Sequence, residues 1–516
     1  MKIKVIILVI ISLININSVF SQAQYIKEMQ KIAEGHFGDG NYNLALKKYL
    51  ELLKEDENNP EYNYKTGLCY IFGSFQNKKA IPYFEKVLKS NYNKDVKYYL
   101  TLAYSNNYQF TKAIQILDDF LQESDIEQKY VKKAKRLKEM CNNAIKLMKS
   151  PINVKFENLK EINSTKDDYN AFINASENFI ILSANKKYDP DFETYSTNVY
   201  TTVLNDKNQW TFPSPVKKIN TFDNEEVNFM SKDGKYIYIR NNFEDDYSNM
   251  LCAIKKGSSI RMDDENPLNK LIKNGKFQYG MSTTQDNSIV FFGSKVADNY
   301  DIYMIKKLPN GDWSDIEKLP DVINTPYDDV LPVISPDGKT LYFASEGHNS
   351  MGGLDIFVSN FNEDKNQWSH PKNLGYPINT TDDDYTISFY NNNRNALVSS
   401  IREGGKGGRD IYKITFPEVD TKLSVIKLML KEGTGENPPN ITKEIQAEVK
   451  VYDLSNNLHS SFVSNTSTGN IIIALPMGKY VLKIDTFSDY PIQEVNVDIK
   501  GGDQFKFKYD ISVYVK

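Results

Sequence analysis

The chain has few of the residues that carry most protein chemistry: three cysteines, four histidines and three tryptophans in 516 residues. Cys69, Cys141 and Cys252 are an odd, widely separated set, so no disulfide framework is written in them. Three half-buried thiols are expected, with a Cys69–Cys141 bridge the weaker alternative. The histidines His36, His348, His370 and His459 are dispersed, and none has the closely spaced His or Cys partner that a zinc site uses. A Gly-x-Ser-x-Gly elbow is missing, since Ser350 in His348-Asn349-Ser350-Met351-Gly352 lacks the first glycine. Carboxylate pairs for glycoside cleavage are defined by distance in space, and the sequence is silent on them. An excess of one charge is lacking too: 63 Lys and Arg against 67 Asp and Glu leave −4. Basic residues gather before residue 150 and the remainder is acidic, which argues against nucleic acid as a partner. The basic stretch 129–149 reads as a solvated helix face.

Only the first residues form a long apolar run. Lys2 and Lys4 precede the apolar residues 5–14, and Val19-Phe20-Ser21 offers a cleavage site before Gln22; this is the layout of a secretory signal over 1–21. Asn15 and Asn17 leave the run too short to span a bilayer, with an uncleaved anchor as the alternative. No cysteine near the cleavage site could take a lipid. The mature chain is expected to be exported and soluble, without a transmembrane segment. Against these absences stand 40% hydrophobic residues, 34 Tyr and 27 Phe, enough for packed cores. A chain of this length calls for roughly two to four domains, and three patterns divide it.

Over 22–150, Ala45, Ala80 and Ala113 recur at a spacing of roughly 34 residues, each followed four residues later by Tyr49, Phe84 or Leu117. A small residue permits close helix approach and the bulky one packs into the next helix, so an all-α helical-repeat array is predicted. Tyr42, Asn77 and Phe110 open second helices, and Asn41 suits a cap. The segment resembles tetratricopeptide repeats in Thr66-Gly67 with Tyr70 and in Leu100-Thr101 with Ala103-Tyr104; it departs at Ile32-Ala33 with His36, and keeps the closing proline only at Pro60. A last helix over 126–148, with Val131, Ala134, Leu137, Cys141, Ala144 and Leu147 in one stripe, looks like a capping element. The resemblance implies a concave surface for partner proteins. A spacer docked on the next domain is an equal expectation.

Over 151–416 the three tryptophans mark one repeat. Trp210 and Trp368 each close Asp-Lys-Asn-Gln-Trp, Trp313 is the third, and each precedes an Ile-Asn-Thr: Ile219-Asn220-Thr221, Ile323-Asn324-Thr325 and Ile378-Asn379-Thr380. The fullest copy adds Ser335-Pro336-Asp337-Gly338-Lys339, whose Asp-Gly suggests the positive-φ pair of a tight hairpin, and Gly352-Gly353-Leu354-Asp355-Ile356-Phe357. The third strand recurs at Asn198, Asp301 and Asp410, and the second copy is weakened around Met250-Leu251. These features resemble the WD40-like propeller repeat of TolB and related exported proteins, which implies a β-propeller and little about its ligand. Five blades are expected, or six if 154–159 closes the ring with a C-terminal strand. The tryptophans are expected to fasten blades by packing. Asp167-Asp168, Asp328-Asp329 and Asp382-Asp383-Asp384 could gather at one mouth and hold calcium, but turn capping is the stronger expectation. No catalytic, cofactor-binding or metal-binding residue is assigned, and no cofactor is expected.

Over 417–516 short alternating segments, such as Ala447 to Asp453, are broken by Thr468-Gly469 and Pro476-Met477-Gly478-Lys479-Tyr480, which predicts a small β-sandwich. These turns resemble the carboxypeptidase regulatory-like domain, a non-catalytic module where known. The three-part order resembles exported envelope proteins of Bacteroidota, including PorE-type components of type IX secretion. Those end in an OmpA-like peptidoglycan-binding domain, and with Lys516 closing this sequence that anchoring is not expected here. The resemblance implies a periplasmic scaffold, peripheral to the outer membrane, whose partners are other envelope proteins. A non-enzymatic adaptor is the leading expectation. The alternative is a propeller that binds or hydrolyses a glycan or peptide, which a channel mouth lined by acids and aromatics would favour.

Overall fold

The computed structural model describes residues 22–515 apart from 74–75, 91, 93–94, 125, 190–193, 222–223, 243–248, 267, 269–277, 297–298, 336, 391–392, 418–423, 433–446, 454–457, 465–469, 476–477, 487–490 and 500–507. The signal segment 1–21 and the turns at Thr468-Gly469 and Pro476-Met477 lie outside the described residues. Contacts divide the chain into two units, 1–390 with 395–415, and 391–394 with 416–516.

Among the described residues seven helices come first: α1 over 22–38, α2 Tyr42–Glu55, α3 Pro60–Phe72, α4 Asn77–Ser90, α5 Val96–Asn106, α6 Phe110–Phe120 and α7 Gln128–Met148. α3 shows why they start where they do. Asn59 accepts from the backbone N–H of Glu61 and Tyr62, both at 3.1 Å, and Pro60 occupies a first-turn position that has no use for an N–H. The alanines do the spacing, with Ala45, Ala80, Ala103, Ala113 and Ala134 all fully buried. Gly67 goes further, because a Cβ there would lie 2.4 Å from the Phe84 ring. No helix among the described residues is long and apolar enough to cross a membrane. The thiols of Cys69, Cys141 and Cys252 are free and fully buried rather than half-buried, and burial pushes the Cys69 thiol up to about 12.

The same unit continues in antiparallel sheets. β1 (Lys155–Asn158) is followed by β2 Asp168–Ile173, β3 Phe179–Asp189, β4 Thr194–Val203 and β5 Ser214–Pro215; β6 Asn224–Met230, β7 Tyr236–Asn242, β8 Asn249–Lys256 and β9 Ser259–Met262 form the next sheet. The third comprises β10 Met281–Thr283, β11 Ile289–Val296, β12 Asn299–Lys306 and β13 Glu317–Lys318. The fourth comprises β14 Asp329–Ile334, β15 Thr340–Ser345, β16 Asp355–Asn362, β17 Gln367–Trp368 and β18 Lys372–Asn373. In the fifth, β19 Ile387–Tyr390, β20 Asn395–Ser400 and β21 Asp410–Thr415 take β1 as their fourth strand, Lys155 opposite Thr415 and Asn158 opposite Tyr412. The pairing foreseen for 154–159 is therefore present, and it completes the fifth sheet instead of starting a sixth.

The Ile-Asn-Thr repeat has a defined mechanical job. Asn163, Asn220, Asn324 and Asn379 each accept the backbone N–H and donate to the C=O of a single residue in the third strand of a sheet: Ile411, Val199, Ile302 and Ile356. The carboxamide thus stands in for a neighbouring strand where the chain has turned away. Ile162-Asn163-Ser164 is a copy that the Ile-Asn-Thr spelling does not reveal, because serine replaces threonine. The hairpins differ from expectation in kind. Gly234 and Gly338 have φ of 73°, but their partners Asp233 and Asp337 do not, since each aspartate turns its Oδ1 to the Lys N–H two residues on. The turn is a longer loop ending in one left-handed glycine, not a two-residue hairpin.

Each tryptophan packs beside a core shared by adjacent sheets: Trp210 with Ile180 and Ile411, Trp313 with Phe292 and Ile305, Trp368 with Phe291 and Phe357. All three are only half-buried. Trp368→Ala is accordingly expected to cost about 2 kcal/mol in chemical denaturation, below the cost of deleting a fully buried ring.

The second unit contains β22 Ser424–Glu432, β23 Glu448–Asp453, β24 Leu458–Val463, β25 Asn470–Leu475, β26 Gly478–Asp485, β27 Gln493–Ile499 and β28 Lys508–Val515. They form a sheet in the order β25-β22-β28 and another in the order β24-β23-β26-β27. Leu428, Ile471 and Ile473 of the first share a buried cluster with Val449, Val451 and Leu482 of the second.

Candidate functional site

The repeated acids are turn caps. Asp168, Glu225, Asp329 and Asp384 each accept from the backbone N–H and the hydroxyl of the Ser or Thr four residues earlier, Ser164, Thr221, Thr325 and Thr380. The acid before it does a different job: Asp167, Asp328 and Asp383 accept the backbone N–H of Arg409, Tyr300 and Leu354 at 2.8, 2.9 and 2.9 Å. The paired glycines make this approach possible, since a Cβ on Gly353 would lie 1.9 Å from Asp383 Oδ1 and one on Gly408 2.2 Å from Asp167 Oδ1. The carboxylates so face local donors rather than one another. Among the described residues no group of three or more His, Cys, Asp or Glu is placed to hold a metal ion. Ser350 and His348 are structural as well: the Ser350 hydroxyl donates to the Gly353 carbonyl at 2.8 Å, and His348 Nε2 lies 3.0 Å from the Ile323 carbonyl.

The helices are fastened to this acidic turn region. Arg136 of α7, expected on a solvated face, is 9% exposed. It donates to the Glu346 and Gly347 carbonyls and its guanidinium lies 4.6 Å from the Tyr327 ring centre. Asn143 donates to the Ser350 carbonyl at 3.1 Å, Thr381 to the Asn106 carbonyl at 3.3 Å, and Asn77 to Asp382 Oδ1 at 3.3 Å. Met351, from the turn between β15 and β16, is fully buried and belongs to the hydrophobic core of the helices, with Tyr376 packed against it. The helical face is thus occupied by the chain's own sheet turns.

Two carboxyls at this seam have raised pKa values. Burial, then Asp328 and Asp383, pushes Glu346 up to about 7, and burial, then Asp383, pushes Asp382 up to about 6. A carboxyl whose folded value exceeds its unfolded one contributes stability below the unfolded value and loses it as pH rises through the folded value. Glu346→Gln is therefore expected to be more stable than wild type at pH 8, by about 1–2 kcal/mol after allowance for solvent screening. That advantage should vanish near pH 4, which thermal melts at the two pH values would check.

A cavity of about 100 Å³ lies where the sheets converge, lined by Asp167, Tyr169, Asn170, Asn185, Glu226, Tyr279, Leu331, Tyr385 and Arg409. Tyr169, Glu226 and Leu331 lie on β2, β6 and β14; Tyr279 and Tyr385 stand two residues before β10 and β19. The first strands of three sheets, and the residues leading into β10 and β19 of two others, therefore reach one space. β2 neighbours β6 and β19, and β10 neighbours β6 and β14. Irregular pairing between Tyr169 and Phe172, Val227 and Phe229, and Val330 and Val333 turns the lining residues inward. Asn170 and Leu331 have φ of 48° and 52°, and Gly280 has 87°. A Cβ on Gly280 would lie 2.5 Å from Leu331 Cα. Leucine in the left-handed region is strained, and such strain clusters at functional sites.

Two arginine–tyrosine–acid groups frame the cavity. The Tyr169 hydroxyl donates to Glu226 Oε1 at 2.8 Å, Arg240 lies 3.6 Å from Glu226 Oε2, and its guanidinium covers the Tyr279 ring at 4.7 Å. Arg409 covers the Tyr385 ring at 4.7 Å and donates to its hydroxyl at 3.1 Å, which donates to Asp383 Oδ2 at 3.3 Å. Burial, reinforced by Glu226, raises the Tyr169 and Tyr279 phenols, and burial with Asp383 raises Tyr385, opposed in part by Arg409. All three remain protonated donors at neutral pH. Of these residues the sequence reading singled out only Asp167 and Asp383. The available signal was the residue after three of the four turn-capping acids Asp168, Glu225, Asp329 and Asp384, namely Tyr169, Glu226 and Tyr385.

No family model and no curated protein matches the chain. Solved structures of similar fold include TolB from Acinetobacter baumannii, at 13% identity and a TM-score of 0.30, covering 55% of this chain and 70% of that one. Others are a β-1,2-mannobiose phosphorylase from Listeria innocua (7% identity, TM-score 0.33, 52% of this chain and 98% of that one) and a fructofuranosidase from Schwanniomyces occidentalis (9%, 0.32, 67% and 84%). These values concern architecture alone. The expectation of a non-enzymatic chain, drawn from its dispersed histidines, its missing serine elbow and its repeats, is withdrawn: the similar solved structures include a phosphorylase and a fructofuranosidase, and a fold of this kind does not itself fix or exclude an activity.

Proposed function

We propose that the five sheets are the blades of one β-propeller closed by β1, that the helices are tetratricopeptide-type repeats, and that the second unit is a carboxypeptidase regulatory-like β-sandwich. On this reading the protein is an exported scaffold of the periplasm, peripheral to the outer membrane, that brings envelope proteins together. A role beside type IX secretion is the specific form of the proposal, and it rests on the order of the parts.

One observation carries the scaffold reading. Met351 sits in the core of the helices while Arg136 and Asn143 hold the turn around it, so array and blades present their surfaces in a fixed relation. Such a fixed relation suits a protein that holds two partners at set positions. The signal-like segment 1–21 supports export.

The test is crosslinking in intact cells followed by isolation of the tagged protein. Wild type should retain a defined set of envelope proteins, and Met351→Asp should lose part of that set at equal abundance. Recovery of no envelope protein above background would refute the proposal.

A further inference from the structure

The cavity at the convergence of the blades keeps polar groups that no described protein atom uses. Asp167 gives Oδ1 to the Arg409 N–H and has Oδ2 left over. Asn170 and Asn185 each commit one end of the carboxamide to a threonine hydroxyl, Thr386 and Thr197, and have the other end left over. The Tyr279 hydroxyl has no hydrogen-bond partner among the described residues, although its ring lines the space. A buried or half-buried wall with unspent donors and acceptors is favourable only when a ligand or water supplies the partners.

Charge narrows the ligand. A bare anion would meet Asp167 and Glu226, and a bare cation would meet Arg409 with Arg240 behind it. A neutral group with alternating donors and acceptors suits this wall, with hydroxyls donating to Asp167 and accepting from a carboxamide N–H. The volume of about 100 Å³ equals roughly seven to ten water sites, the scale of one sugar ring. Beyond Asn185, the β3–β4 hairpin carries Tyr188 and Tyr195, 49% and 41% exposed, with ring centres 5.1 Å apart. Lys166 Nζ lies 3.8 Å from the Tyr195 ring centre, so Tyr188 is the one of the pair that offers an apolar face with a polar tip, which a second ring could stack on.

We propose that the cavity binds one ring of a neutral glycan, with Asp167, Asn170, Asn185 and Tyr279 bonding its hydroxyls and Tyr188 taking the adjoining ring. The full-length protein would be tested on an array of neutral, acidic and amino oligosaccharides with free inositol as a cyclic polyol, and positives titrated by calorimetry. Binding should be confined to neutral oligosaccharides, with inositol weaker. Asp167→Asn and Asn185→Asp, which keep the acceptors for the Arg409 N–H and the Thr197 hydroxyl, should each weaken it by about tenfold or more at a temperature where melting curves show both variants folded. No neutral glycan above background, a charged ligand bound instead, inositol binding as tightly as the oligosaccharides, or affinity unchanged in both variants would each overturn the proposal. The crosslinking experiment does not depend on the cavity, so failure of one reading is distinguishable from failure of the other.

Discussion

Met351→Asp is expected to loosen the helical array from the sheets and to cost about 3–5 kcal/mol. The wild-type side chain is fully buried within the helical core although it belongs to a sheet turn. Its backbone N–H is committed to Asp355 Oδ2 at 2.9 Å, so the turn cannot swing the new carboxylate outward without breaking a buried bond. Arg136 already has Nη2 on the Glu346 and Gly347 carbonyls and Nη1 on Glu139 Oε2, so turning it toward the new charge would break bonds that hold the turn. Met351→Leu, which nearly conserves volume, should cost less than about 1.5 kcal/mol. Urea denaturation of the three proteins, followed by fluorescence and far-ultraviolet dichroism, would show the ranking. In Met351→Asp the dichroism change from the helices should precede the fluorescence change from Trp210, Trp313 and Trp368.

Asn379→Asp carries the second large effect, about 2–5 kcal/mol. The replacement keeps the shape and removes the donor. Asn379 Nδ2 donates to the Ile356 carbonyl at 2.9 Å and to Asn373 Oδ1 at 2.8 Å, while Oδ1 accepts the Ile356 N–H. An aspartate would set an oxygen against both acceptors at a fully buried position, leaving each unsatisfied. The same substitution at Asn324 faces the same geometry and should cost a similar amount in the same denaturation experiment. Asn379→Asp should fall in stability further as pH rises from 5 to 8 and the buried carboxyl is forced to ionise.

These two positions illustrate what a sequence can and cannot disclose. Asn379 was visible as part of a repeat, because the bond pattern it serves recurs in four of the five sheets and selection by geometry leaves the same letters behind. Ile162-Asn163-Ser164 was harder to see because a serine hydroxyl caps Asp168 as well as a threonine would. The strand over 154–159 could be foreseen as a closing strand, but only its pairing with β21 decides that it completes a sheet. Arg136 looked like one more cation on a basic helix, since its carbonyl partners lie more than two hundred residues away. The cavity was least legible. Its lining residues are brought together by bulges and by the meeting of five strands, neither of which leaves a spacing in the chain.

The fixed attachment of helices to blades is the central claim, and amide hydrogen exchange tests it most directly. In wild type, α7 and the turn 346–352 should be protected to the same degree, and in Met351→Asp both should lose protection together while β2 and β3 keep theirs. Unequal protection in wild type, or an α7 that exchanges identically in the two proteins, would contradict the account.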